Sequence, residues 1–422
     1  MLSLFIVASP LAEAELGKNI REKIAKITKN NSIDTIKFVN DPENGEAIAA
    51  DISEEIAGAI IVVATGGSEE TIFRITTTLN KPILLWANPH KNSLAASIEA
   101  FAVLKPDYPI RILYAELDSE EAAAGISIFS NICQASHKLD NSKLACVGGP
   151  SEWLLTSKSI SSYHNFNTEI ISLDVADVIE KVEKIDEADA QNVVNELKEQ
   201  FGKIVVSDAD LLESAKVYLA MKELIEEYDL SAITIRCFDL LEQEYTACIG
   251  MSLCSDHGIV SGCESDLQAT FSMMLATYLT DEPCWMANPS RIDREKNSVI
   301  LAHCTIPSKM LVNLSESCLV PHMESGLSAA IQGQMKSEKV TLLRIGGNFD
   351  KMTIATGNII RSNINDGKLC RTQAEVKLDE DVMNWLENCL GNHQILVYGD
   401  IKKELIEFCK FRNIEIIEGK QS

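Results

Sequence analysis

Largely apolar runs alternate with longer stretches of mixed polarity through the first third of the chain. The runs Leu2–Ala8, Ile36–Val39, Ala59–Ala64, Ile83–Ala87 and Ile110–Tyr114 have the texture of strands buried on both faces of a parallel sheet. Between them Leu11–Lys29, Glu43–Glu55, Glu69–Leu79 and Ser93–Leu104 repeat apolar positions at helical spacing, and Ser119–Lys138 closes the series as a helix. Buried runs alternating with amphipathic segments predict an open α/β sheet over residues 1–140.

The same alternation resumes at Lys143–Val147 and continues through Glu169–Leu173, Lys203–Val206 and Ala232–Arg236. Helical patterns fall at Ala176–Lys184, Glu187–Gln200, Asp208–Tyr228 and roughly Ser265–Leu279, so residues 141–282 read as a second α/β domain. After residue 283 the runs shorten and become strand-like: Val299–Ala302, Lys339–Ile345 and Met352–Gly357. Asp366–Gly367 has the chemistry of a two-residue hairpin turn. Residues 283–422 therefore read as a β-rich, antiparallel, barrel-like domain, ending in a strand–helix–strand unit over Gln394–Tyr398, Lys402–Phe411 and Ile414–Ile417. The expected fold class is α/β, with two open-sheet Rossmann-like domains followed by that β-rich domain.

Composition narrows the function classes. The formal net charge of −24 disfavours nucleic acid and anionic membrane, which both need basic patches. No apolar run approaches the ~18 residues of a membrane span. The N-terminus has no basic region before its apolar run and reads as a first strand, not a signal peptide. Twelve cysteines, none in a CxxC pair, sit mostly in apolar segments such as those of Cys146, Cys248 and Cys389; they predict reduced thiols in a cytoplasmic protein.

The chemistry gathers between His257 and Pro307. Glu264 stands at the mouth of a helix, Asn288 follows a short apolar run and His303 ends another, while His393 comes later in GNHQILVYGD. Carboxylate, amide and imidazole at the ends of separate elements suit a metal-dependent site for a small, oxygen-rich substrate. Hard oxygen donors with imidazole favour Mn²⁺ or Mg²⁺ over zinc or copper.

Each residue also has a plainer reading. Glu264 and Asp266 suit the first turn of a helix. Asn288 precedes Pro289 and suits a turn. His303 suits a satisfied core position, and Gly391–Asn392 before His393 is a helix stop. His322 and Glu324, in PHMESG, lie in a loop before a glycine-containing run and are candidates for a pair that supports substrate binding. Arg371 and Gln373, in CRTQ, flank the predicted hairpin, and a buried arginine there needs an anion, from the protein or from a substrate phosphate, sulfonate or carboxylate. Arg344 reads as a strand arginine paired with an acid.

Thr65–Gly66–Gly67–Ser68 follows a strand and opens a helix, where free N–H groups can cradle an anion or hydroxyl, although tight turns need glycine for geometry alone. Gly148–Gly149–Pro150–Ser151 is similar. Neither matches a nucleotide-binding loop. Asn92 is expected to cap a helix. Cys263 and Cys304 flank the key acid and histidine, but covalent cysteine catalysis is disfavoured, since Cys304 would face away from His303 along a strand.

In order, GCESDLQATFSMMLATYLT, CWMANPSRID, ILAHCTIP, CRTQ and GNHQILVYGD resemble the C-terminal half of the L-fucose isomerase and L-arabinose isomerase superfamily; ATGGSEE and HKNSLAASIEA are similar to its first domain. The resemblance spans nearly the whole chain and implies a compact, divergent aldose–ketose isomerase of three domains with a Mn²⁺-type ion. A carboxylate pair and a histidine would hold the ion on two sugar oxygens, and a carboxylate would carry a proton between C1 and C2 through an enediol. On this resemblance Glu264 matches the first glutamate, His303 the histidine used by arabinose isomerases, and His393 the last histidine. Asn288 falls where the second acidic ligand usually stands; an amide is a neutral, weaker ligand and no base at neutral pH. Asp266 or Asp293 is the candidate to replace that acid. The resemblance also implies a homo-oligomer, a trimer or hexamer, with the first domain of one subunit covering the site of another and Asn92 near that neighbouring site; Thr65 and Gly66, in the glycine turn, are further candidates for substrate binding. Two alternatives stay open: a non-catalytic sugar-binding or regulatory protein, and a different enediolate reaction such as an aldol-type or epimerising step.

Overall fold

The computed structural model describes residues 2–33, 35–160 and 166–418. The chain divides into two compact units, residues 1–137 with 403–413, and residues 138–402 with 414–422.

The first unit is built on five parallel strands, β1 (Leu2–Val7), β2 (Thr35–Val39), β3 (Gly58–Val63), β4 (Ile83–Ala87) and β5 (Ile110–Tyr114), in the order β2-β1-β3-β4-β5. Strands β1, β3 and β4 are buried along their whole length, which is why their sequences run apolar without alternation. One side of the sheet packs Phe5, Val7, Ile61, Val63 and Leu85 against Ile72, Ile75, Ala96 and Ala100 of the flanking helices.

In the second unit β6 (Lys143–Val147), β7 (Glu169–Leu173), β9 (Ala232–Ile235) and β10 (Val260–Cys263) form a parallel sheet in the order β10-β9-β6-β7. Strand β8 (Lys203–Ile204), expected in this alternating series, instead joins a small sheet with β13 (Cys318–Val320) and β14 (Ala330–Gln332). It is too short to reveal a partner by its own pattern.

A closed antiparallel barrel of six strands follows: β11 (Trp285–Asp293), β12 (Ser298–His303), β15 (Lys339–Gly346), β16 (Lys351–Ser362), β17 (Thr372–Leu378) and β18 (Gln394–Tyr398). The order is β15-β18-β11-β12-β17-β16, and β16 returns to pair with β15. A last strand, β19 (Glu415–Ile416), lies parallel to β16. Period-two alternation puts Trp285, Ala287, Val299, Leu301, Val340, Leu342, Ala374 and Val376 into one core.

Two local expectations change. Asn288–Pro289 is not a turn but lies inside β11; the ladder with β12 shifts between Pro289 and Arg291, and such an irregularity is where a strand tolerates proline. Asp366–Gly367 does not make a two-residue hairpin: β16 and β17 are joined by residues 363–371. Asn363 and Asn365 take left-handed backbone there. Gln373 Nε2 donates to the carbonyls of Asp366 and Cys370, while its Oε1 accepts from Asp366 N, so the loop is folded around a buried amide.

Candidate active site

Strands β6, β9 and β10 run parallel, so their carboxyl ends share one edge of the sheet, where open α/β sheets bind ligands. At the end of β10 the backbone makes a tight turn in which Glu264 and Ser265 are both left-handed (φ 62° and 54°). For side-chain-bearing residues this costs on the order of 1–3 kcal/mol each and survives only where the surroundings dictate it. Here Ser265 Oγ donates to Val147 O at 2.6 Å, Ser151 N donates to Glu264 O at 3.0 Å, and Asp266 N donates to Cys263 O at 3.2 Å. Glu264 is held nearly buried, and its Oε2 accepts a hydrogen bond from Trp153 Nε1 at 2.7 Å.

Two residues on, Asp266 caps the helix Leu267–Thr280, accepting from Ala269 N at 3.0 Å and from Ser157 Oγ at 3.2 Å. Arg344, from β15, donates to both its oxygens at 2.9 and 3.1 Å, and His393, just before β18, places Nδ1 2.9 Å from Oδ2. All three side chains are fully buried. Burial alone would push the Asp266 carboxyl up; the Arg344 charge and the hydrogen bond and charge of His393 outweigh it and hold the carboxyl well below its usual range. An ionised Asp266 can only accept, so His393 Nδ1 carries the proton between them, and in the neutral ring Nε2 bears the lone pair. That nitrogen is buried, has no hydrogen-bond partner among the described residues, and lies 3.9 Å from Glu264 Oε2. Gly391 makes room for this arrangement: a Cβ there would stand 2.6 Å from Arg344 Nη2.

His303 ends β12 with its ring centroid 5.6 Å from that of His393. Burial, reinforced by the neighbouring His393, lowers its pKa to about 3, so the ring is neutral, and Nδ1 pairs with Thr305 Oγ1 at 2.9 Å. Asn288 is partly buried in β11, and its Oδ1 accepts from Asn392 Nδ2 at 3.3 Å, beside the loop that carries His393.

The remaining candidates scatter. His322 is buried and bonds Ser325 Oγ at 2.9 Å, whereas Glu324 is exposed. Gln373 turns all its polar atoms to the 363–371 loop. Arg371 donates from Nε to Pro321 O at 2.6 Å and from Nη2 to His322 O at 3.4 Å. Asp293 is bound to Lys296 in its own turn. Thr65, Gly66 and Asn92 lie in the first unit, where Thr65 Oγ1 accepts from Ser9 N and Gly66 packs on Asn92. Asn92 occupies the cap position of Ser93–Leu104 in left-handed backbone, without the expected side-chain cap. All twelve cysteines are unbridged; Cys304 packs in an apolar cluster with Cys248 and Cys370, and Cys263 Sγ lies 3.0 Å from Cys237 Sγ.

Sequence reasoning overlooked Trp153, which touches the central acid, and Phe238, whose ring meets Trp153 edge-on at 5.1 Å. Both follow strands of the parallel sheet, so the rule that ligands gather at strand carboxyl ends is the signal that would have found them.

No family model matches the chain. It is similar to the sulfoquinovose isomerase of Clostridium sp. (strain MSTE9), at 23% identity over 355 residues covering 80% of this chain and 78% of that protein. It is also similar to the sulfoquinovose isomerases of Alkalicoccus urumqiensis, at 20% over 404 residues (91% and 90%), and Priestia megaterium (strain ATCC 12872 / QMB1551), at 22% over 367 residues (82% and 82%). Among solved structures, a XylFII–LytSN complex covers 66% of this chain and 91% of its own at 10% identity; its TM-score of 0.17 carries no argument.

Proposed function

We propose that this protein is a sugar isomerase that interconverts an aldose and a ketose, as the names of its distant relatives suggest. The observation that carries the reading is the Glu264–His393 pair, one carboxylate and one buried, unpartnered imidazole nitrogen 3.9 Å apart. Following those names, the substrate class proposed is a hexose with an anionic group.

Glu264 supplies the mobile base. Trp153 fixes Oε2, and Oε1 takes the proton from C2 of the aldose, which puts the charge of the enediolate on O1; the O2 hydroxyl proton passes to O1, and Oε1 returns its proton to C1 as C2=O forms. Asp266 is a positioning residue: with both oxygens engaged it holds the His393 ring in one tautomer. His303 stays neutral and offers a hydrogen bond to a sugar hydroxyl. The donor set suits Mn²⁺ or Mg²⁺, held by Glu264 and His393 with Asn288 beside them; no three His, Cys, Asp or Glu converge among the described residues, but such ions take several ligands from water and substrate. When bound, the ion would stabilise the enediolate as a Lewis acid.

One observation favours a second reading. Asn288, where a second carboxylate would serve, is a neutral amide that already accepts from Asn392, which fits a sugar-binding role without turnover. Incubation with aldoses in D₂O separates the two. Ketose formation with deuterium entering at C1 of the ketose, and at C2 of recovered aldose, lost in Glu264→Gln, is the expected result; binding without exchange would establish the second reading instead.

A further inference from the structure

The site has a rim that can be followed from contact to contact. Glu264 Oε2 meets Trp153 at 2.7 Å, Trp153 meets Phe238 at 5.1 Å between centroids, and Phe238 meets His322 at 6.2 Å. The carbonyl of His322 accepts from Arg371 Nη2. Arg371 immediately precedes Thr372, which pairs with His303 across β12 and β17, and His303 leads back through His393 to Glu264. Arg371 is the arginine joined to this chain of contacts, through the carbonyl of His322.

It is also unusual among the arginines of its unit. Arg236 pairs with Asp239, Arg291 with Asp366, Arg344 with Asp266 and Arg361 with Glu375, while Arg294 is exposed. Arg371 is partly buried and has no carboxylate within ion-pairing distance among the described residues, in a chain with 62 acidic and 38 basic side chains. Two backbone carbonyls, of Pro321 and His322, take Nε and Nη2. They orient the planar guanidinium without a carboxylate in ion-pairing distance among the described residues. A guanidinium anchored in this way presents its remaining N–H groups as a fork matched to two oxygens of one anion.

We propose that Arg371 reads an anionic substituent of the sugar, a sulfonate, phosphate or carboxylate, and so sets substrate choice. This rests on the sugar-isomerase reading and adds its specificity determinant. Glu264 and Glu324 do not compete for the role: Glu264 is engaged with Trp153 and Glu324 is exposed.

The test is titration calorimetry with glucose, glucose 6-phosphate, 6-deoxy-6-sulfoglucose and glucuronate on wild type, Arg371→Ala and Arg371→Lys. Wild type is expected to prefer one anionic sugar over glucose, and Arg371→Ala to cut that preference by about 30-fold or more, as for a truncated charge pair. Arg371→Lys is expected to recover part of it, and which anion is preferred separates sulfonate from phosphate and carboxylate. The proposal is overturned if wild type shows no preference, or if the preference survives in Arg371→Ala. It is also overturned if the variant weakens charged and neutral sugars alike with a lowered Tm, the mark of a mere clamp on the Pro321–His322 carbonyls. Deuterium exchange with a neutral aldose would then show the isomerase reading standing without it. Turnover retained in Glu264→Gln would remove that reading instead.

Discussion

In the first unit β3 runs into Thr65–Gly66–Gly67, and in the second β6 runs into Gly148–Gly149–Pro150–Ser151. Both turns stand at the carboxyl edge of a parallel sheet, and both carry left-handed glycine, at Gly67 and at Gly148 and Gly149. The first is answered from within: Gly66 N donates to Lys91 O at 2.7 Å, and Gly67 N donates to the Glu69 carboxylate at 3.4 Å. With Glu69 and Glu70 in the next helical turn, its field disfavours an anion. The second meets the Glu264 turn through Ser151, and there the barrel strands bring Arg344 and His393 to Asp266. The two turns thus differ in their surroundings: the first is satisfied by its own loop and helix, and the second meets buried charge delivered by another layer.

Substitutions at the two turns should separate sharply. Glu264→Gln is expected to lower turnover by about 10²–10⁴-fold with circular dichroism unchanged, because it removes the proposed base and no core packing; near-normal turnover would break the contrast. Arg344→Met leaves Asp266 buried without its arginine partner, and urea denaturation should show a loss of about 3–5 kcal/mol. A much smaller loss would mean that water reaches Asp266. Gly66→Ala, in the first unit, places a Cβ 2.9 Å from that of Asn92; a stability loss of about 1–3 kcal/mol with the deuterium exchange rate kept is expected.

The pH dependence sharpens the same contrast. His303 has a folded pKa of about 3 against 6.5 when unexposed to the fold, so the unfolded chain binds more protons between those values. Its contribution is full above pH 6.5 and is lost as pH falls from 6.5 towards 3. Asp266, also depressed, acts with the same sign but only below about its ordinary value of 3.8. Unfolding free energies from urea titrations at about pH 7.5 and about pH 5 should differ by on the order of 1–2 kcal/mol more in wild type than in His303→Gln. Equal differences would mean that His303 is not buried as a neutral ring. The smallest effect expected is for Trp153→Phe, which removes one hydrogen bond to Glu264 and should slow turnover by about tenfold or less.

Much of the fold was legible because its signals are local. Ile83–Ala87, Ile110–Tyr114, Glu69–Leu79, Glu187–Gln200 and Asp208–Tyr228 occupy the spans their periodicity predicts. Glu264, His303 and His393 could be named as candidates because polar groups at the ends of apolar runs stand out. Asn288–Pro289 was misread as a turn because proline's ordinary cost to a strand is avoided by a ladder irregularity that no local pattern announces. Asp366–Gly367 was misread as a hairpin because Gln373, seven residues on from Asp366, organises a longer loop through its side chain.

By itself the sequence determined where strands and helices begin and end and which short segments hold polar groups at their tips, because hydrophobic period and turn chemistry act over a few residues. The tertiary structure decided which of those groups meet. Asp266 reaches Arg344 across 78 residues and His393 across 127, and a fully buried arginine and aspartate are tolerable only together. Their pairing depends on closure of the six-strand barrel against the end of β10, a long-range condition that no window of the sequence contains.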